Sequence, residues 1–282
     1  MPVKSTVRSG AAGLAPDPAG GQAFGMSVYR SLVAWRQGLE SVLALGPGLS
    51  DVQWVAPTEC PDWTVKDVYA HLVGGEAWMA EGHPDPAEGF QAWASAPVLA
   101  RRDTPGTALL EELRQVYERR RVQLGSAPVD PGKPAYLATG RQVTLGLLLQ
   151  TRAMDVWVHE QDIRRAVGQP GNLDSPGAAV AGDLFVRALP RVVARSAQVP
   201  PGSAVRLTTT GEVAVDVAVA VAADGRGSLV SPERPVTAHL TLGWESFTRL
   251  CCGRGNPADH DVAVTGDREV AERVLAHLAV TP

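Results

Sequence analysis

The run Leu147-Leu-Leu-Gln-Thr-Arg152-Ala-Met-Asp155-Val-Trp-Val-His159-Glu-Gln-Asp162-Ile-Arg-Arg-Ala-Val167 decides the fold of this chain. It reads as most of a helix over about 143–167, with Gly168 as a left-handed stop and Pro170 beyond it. Apolar residues such as Leu149, Met154, Val156, Trp157 and Ile163 lie on most of its sides, so the helix is buried. At helical spacing, Leu148, Arg152, Asp155, His159, Asp162 and Ala166 form one stripe, which sets four polar groups on an apolar rod. A buried imidazole or carboxylate needs a partner. Asp155 and His159 are one turn apart. With a second imidazole they would make the two-histidine, one-carboxylate set of a catalytic zinc site, with positions left for water or substrate.

His71 is the second imidazole. It lies in Thr58-Glu-Cys60-Pro-Asp-Trp-Thr64-Val-Lys-Asp67-Val-Tyr-Ala-His71-Leu, where Thr64 and Asp67 have the spacing of a capping box. A helix is expected from there to about Glu81. Asp67, one turn before His71, is in reach of its second ring nitrogen, as Asp162 is for His159. Gly74 and Gly75 are expected to leave room for a ligand. Spacing alone leaves the site open, because a lone histidine on an apolar helix is more often a hydrogen-bonded core residue. An i,i+4 Asp–His pair is likewise more often an intrahelical contact. His159-Glu160 begins an HExxH pattern, but position 163 is Ile and the zincin reading fails. A nucleophile elbow, a P-loop and a dinucleotide fingerprint are all absent. Cys60 stands just before the helix, where a thiol pKa can fall; a small buried residue is the plainer reading. His83, His239, His260 and His277 have no partner at ligand spacing.

Outward from these motifs, further helices are expected over about 26–45, 105–124 and 175–197. The helices at 26–45, 64–81, 105–124 and 143–167, with long connections, read as a four-helix bundle. Loops over 46–63, 82–104 and 126–142 would shape its pocket. After Pro200-Pro201 the texture changes to strand candidates at 205–210, 213–222, 237–242 and 261–265, with helices at 244–252 and 267–279. The fold class is therefore α+β in two domains: a flexible tail over 1–24, a helical bundle over 25–198, and a small α+β domain over 199–282.

Composition narrows the function. A chain of 282 residues, 45% hydrophobic and 20% charged, is a soluble globular protein, and its formal charge of −4 gives no reason to expect nucleic acid or an anionic membrane as partner. No run approaches the roughly 18 apolar residues of a membrane span. Cys60, Cys251 and Cys252 make no disulfide framework, which points to the reducing cytoplasm. Lysine occurs only at positions 4, 66 and 133, so the basic residues are nearly all arginine, as in proteins from GC-rich genomes such as those of many actinobacteria.

The run from Thr58 to Leu72, together with Asp155-Val-Trp-Val-His159-Glu-Gln-Asp162-Ile-Arg-Arg-Ala-Val-Gly168-Gln-Pro170, resembles the two signatures of the mycothiol-dependent maleylpyruvate isomerase family. The resemblance covers roughly 26–280. It implies a DinB-like metal-binding four-helix bundle followed by a sterol-carrier-like α+β domain. It implies a divalent metal, usually zinc, on His71, Asp155 and His159, with mycothiol as thiol cosubstrate and a small electrophile as substrate. The family has Glu where this chain has Asp155, one methylene shorter, so the helix must come closer or a water must intervene. On the family pattern, Asp155→Glu is expected to be tolerated. The resemblance also implies an arginine from the C-terminal domain that helps bind an anionic substrate or the thiol, with Arg254 as first candidate and Arg249 as second. The implied enzyme is an isomerase or S-transferase, as a monomer or homodimer. A non-enzymatic small-ligand carrier and a thiol-independent metal hydrolase are the alternatives.

Overall fold

The computed structural model describes residues 18–84, 89–126 and 128–281. The chain opens with helix α1 (Pro18–Leu45), the one-turn α2 (Asp51–Trp54), α3 (Val65–Ala80), α4 (Gly89–Ala100) and α5 (Gly106–Gly125). A small hairpin, β1 (Pro134–Tyr136) with β2 (Gln142–Thr144), leads into α6 (Leu145–Val167) and α7 (Pro176–Arg191). The second part holds β3 (Ala204–Thr210), β4 (Asp216–Val221), β5 (Gly227–Val230), β6 (Ala238–Gly243), α8 (Trp244–Cys251), β7 (Val262–Gly266) and α9 (Arg268–Ala276). A helical part followed by a small sheet-and-helix domain is the two-domain α+β fold. No helix among the described residues is long and apolar enough to cross a membrane.

Local chemistry fixes the helix ends nearest the site. Thr64 caps α3: its side chain accepts from the Asp67 amide while the Asp67 carboxylate accepts from the Thr64 amide, so two otherwise unpaired donors are satisfied together. Gly168 ends α6 with φ of 69°, a left-handed conformation that glycine adopts without a Cβ clash. Of the expected tail, residues 1–17 lie outside the described residues and 18–24 belong to α1.

Residues of α1, α3, α5 and α6 share one apolar core, with Trp35, Leu39, Val42, Tyr69, Leu72, Leu113, Tyr117 and Val156 at its centre. The second core joins the sheet, α8 and α9 to Trp157 and Val158 of α6 and to Ala181, Phe185 and Leu189 of α7. The sheet runs β5-β4-β3-β6-β7, with β3 and β6 parallel and its other neighbours antiparallel. Since α6 and α7 contribute to both cores, the C-terminal domain is seated directly against the helix that carries Asp155 and His159.

Three expectations about the connections need correction. The stretch 82–104 is not all loop, because α4 occupies Gly89–Ala100 in its middle. Phe90, Trp93 and Ala94 recur on one face of that helix, and Pro97 sits inside it, against Gly74 of α3. The connection over 46–63 holds α2, capped by Ser50 and Gln53, and that over 126–142 holds the β1–β2 hairpin. In the sheet, β5 is a strand absent from the sequence reading, with small and polar residues Gly227 and Ser228 on an edge.

Candidate metal centre

His71 projects from α3, and Asp155 and His159 project from α6. Their ligand atoms converge to within 4.8 Å of one another. His71 Nε2 lies 3.7 Å from Asp155 Oδ2, and His159 Nε2 lies 3.6 Å from Asp155 Oδ1. Two ligand atoms bound tetrahedrally at about 2.0–2.1 Å from one ion are themselves about 3.4 Å apart. The spacing is close to that of ligands around a shared divalent ion, with one Asp155 oxygen facing each imidazole.

Both imidazoles are oriented for that role. His159 Nδ1 lies 3.1 Å from Asp162 Oδ2, an acceptor, so Nδ1 carries the proton and Nε2 offers its lone pair. His71 Nδ1 lies 3.5 Å from the Ala94 carbonyl oxygen on α4, which selects the same tautomer. His71 Nε2 is buried and has no hydrogen-bond partner among the described residues. A buried polar atom left in that state calls for a ligand. Burial lowers the His71 pKa and outweighs the opposing pull of Asp155, so the ring stays neutral at neutral pH, as coordination requires. Burial would raise the Asp155 pKa, but the Arg152 guanidinium beside it holds its carboxyl well below the usual range.

Asp67 does not reach His71, because its carboxylate is committed to the cap of α3. Asp162 does reach His159. Gly74 and Gly75 leave no space for a ligand: a Cβ on Gly74 would meet the Pro97 ring, and one on Gly75 would meet the Arg152 guanidinium. Arg254 is brought to the site, but its guanidinium is committed to protein. It donates from Nε and Nη2 to the two oxygens of Asp162 at 3.1 and 2.9 Å, and from Nη1 to the Cys252 carbonyl at 3.0 Å. Arg249 donates from Nε to Glu59 at 3.0 Å and ties α8 to the segment before α3.

Further groups join the site that spacing did not assign. Arg152, from the polar stripe, donates to Asp155 and to the fully buried Glu76. A buried glutamate in the apolar α3 was itself a signal that a cation must face it. Trp63 and Trp93 flank His71 at ring-centroid distances of 4.8 and 5.4 Å. Cys60 falls within ligand distance of His159 and Asp162. Its thiol is pushed up to about 11 by burial, against the opposing charge of Arg254, so the helix start does not activate it.

Residues 35–164 match the family model described as the mycothiol maleylpyruvate isomerase N-terminal domain, and residues 178–273 match its MDMPI C-terminal domain. Uncharacterized proteins from two strains of Mycobacterium tuberculosis are each 27% identical to this chain over 161 residues, which span 56% of this chain and 78% of theirs. Crystal structures of the mycothiol-dependent maleylpyruvate isomerase and of its histidine-to-alanine mutant align with TM-scores of 0.51 and 0.54. Each alignment covers 84% of this chain and 92% of the other at 15% identity, which is a likeness of fold.

Proposed function

The chain belongs to the mycothiol-dependent maleylpyruvate isomerase family, and on that premise we propose that it is a metal- and thiol-dependent enzyme, an isomerase or S-transferase acting on a small electrophile. The observation that carries this reading is the convergence of His71, Asp155 and His159 around an orphaned His71 Nε2. The donor set, two imidazoles and one carboxylate, fits a divalent metal, with zinc as the first expectation. Such a metal, when bound, lowers the pKa of a coordinated thiol, so that mycothiol is present as its thiolate near neutral pH.

The chain's own residues bind and orient. Asp162 and the Ala94 carbonyl keep the imidazole protons on Nδ1 and aim both Nε2 atoms at one point. Arg152 keeps Asp155 ionised. Trp63 and Trp93 shield His71 from water. Arg254 supports the site through Asp162, which makes it a positioning residue and not a direct substrate contact. Thiolate addition to a conjugated double bond followed by rotation and departure is isomerisation, whereas retention of the new carbon–sulfur bond is transfer. The ligand set serves both. The reducing cytoplasm is the expected compartment, in keeping with three free cysteines.

The test is turnover of conjugated electrophiles with mycothiol and a divalent metal. The reading expects activity that needs both, and expects His159→Ala to lose metal and turnover together. Turnover without thiol would instead favour a hydrolase, and full activity in His159→Ala would overturn the site.

A further inference from the structure

We propose that Arg152 is a positioning residue for the metal centre: Glu76 locks it into a slot that glycine at position 75 leaves open, and it fixes the Asp155 carboxylate between the two imidazoles. The inference rests on the reading of His71, Asp155 and His159 as a metal site.

Arg152 is 4% exposed. Its planar fork is engaged in three directions. Nε donates to Glu76 Oε1 at 2.7 Å, Nη1 donates to Asp155 Oδ2, and Nη2 donates to the Leu72 carbonyl at 3.3 Å. Glu76 is itself fully buried, and its second oxygen lies 3.8 Å from Arg120 Nε. Buried ion pairs are weak devices for stability, because apolar residues of similar volume do as well or better. A chain of four buried or half-buried charges from Arg120 to Asp155 therefore calls for a use beyond holding α3 to α6.

The geometry at Asp155 supplies that use. A free aspartate on α6 can swing toward solvent, and about a quarter of its side chain (28%) remains exposed. The bond from Arg152, one turn earlier, selects the orientation in which Oδ2 faces His71 and Oδ1 faces His159. Outer partners of this kind orient metal ligands and raise affinity. Position 75 completes the slot: a Cβ there would stand 2.5 Å from Arg152 Nη1 and 2.7 Å from its Cζ, in a place where the guanidinium has no free direction to yield.

Truncation to Arg152→Met would strand Glu76 and invite misfolding, so the test uses two variants that keep the charge. Arg152→Lys keeps the cation but loses the fork that reaches three acceptors at once. Gly75→Ala keeps the arginine but displaces it. Each folded variant, checked by circular dichroism, is titrated with Co2+ in the absence of thiol, following the visible d–d band, and Zn2+ affinity is measured by competition with a chromophoric chelator. Both variants should raise the metal Kd by about tenfold or more and alter the Co2+ band. Unchanged Kd and band in both, or tighter binding, would overturn the positioning role while leaving the metal site intact. A wild-type protein with no Co2+ band would overturn the metal reading, and this proposal with it.

Discussion

Asp162→Asn perturbs the joint at which both domains meet the site. The Asp162 side chain is fully buried; Oδ2 faces His159 Nδ1 at 3.1 Å and Arg254 Nη2 at 2.9 Å, and Oδ1 faces Arg254 Nε at 3.1 Å. Asparagine has one acceptor oxygen for these three donors and turns its own NH2 toward at least one of them. Arg254, 8% exposed, then carries an uncompensated charge, loses at least part of its two-pronged contact at position 162, and keeps the Cys252 carbonyl. Removing one partner of a buried ion pair costs about 3–5 kcal/mol, against about 1 kcal/mol for an ordinary hydrogen bond. The retained carbonyl contact favours the lower end, so about 3 kcal/mol is expected from urea unfolding at pH 7. The pH dependence has a definite sign. Burial raises the Asp162 pKa, but the bonds from His159 and Arg254 outweigh it and hold the folded value below the ordinary one. Below the ordinary aspartate pKa the unfolded chain binds the proton first. The carboxylate's contribution is therefore present above that value and is lost as pH falls through the folded one. The gap between wild type and Asp162→Asn should close in acid. A loss below about 1 kcal/mol at pH 7, or a gap that persists unchanged into acid, would refute the reasoning.

Asp155→Glu, which the family pattern alone would have tolerated, should weaken metal binding here, because the shorter carboxylate already stands at ligand spacing from both imidazoles; a Zn2+ Kd equal to or below that of wild type, by chelator competition, would contradict this. Gly74→Ala places a Cβ 2.1 Å from Pro97 Cγ, a ring atom that cannot rotate away, so α4 must shift and thermal melting should show a loss of about 1–3 kcal/mol. An unchanged melting temperature would mean that α4 is not seated on α3 in solution. Cys60 should alkylate slowly in metal-free protein near neutral pH and faster as pH rises toward about 11, while Cys251 and Cys252, which are more buried, should react only on unfolding. Mass spectrometry after iodoacetamide pulses reads both, and rapid neutral labelling of Cys60 would oppose the assignment.

Part of the candidate site was legible from local periodicity, although spacing alone left the metal reading open and the flanking motifs favoured it. The stripe on α6 and the cap at Thr64 are matters of spacing within one helix, and so is the stop at Gly168. What failed depended on contacts across the chain. Asp67 has the right spacing for His71 and also for Thr64, and the unpaired amides at the start of α3 claim it. The region of α4 is punctuated by proline and glycine and reads as loop, yet Phe90, Trp93 and Ala94 share a face that packs over His71. The pairing of Arg152 with Glu76 spans 76 positions, and no periodicity reports it. Arg254 stood out by its place after α8 as a candidate to bind substrate or thiol, whereas its bonds to Asp162 on α6 are visible only once the two domains are together.

The most direct test of the central claim is diffraction on crystals of protein purified without chelator, measured on both sides of the zinc absorption edge. The account predicts one anomalous peak about 2 Å from His71 Nε2, His159 Nε2 and an Asp155 oxygen. No peak at that point, or a peak coordinated by Cys60 in place of Asp155, would contradict it.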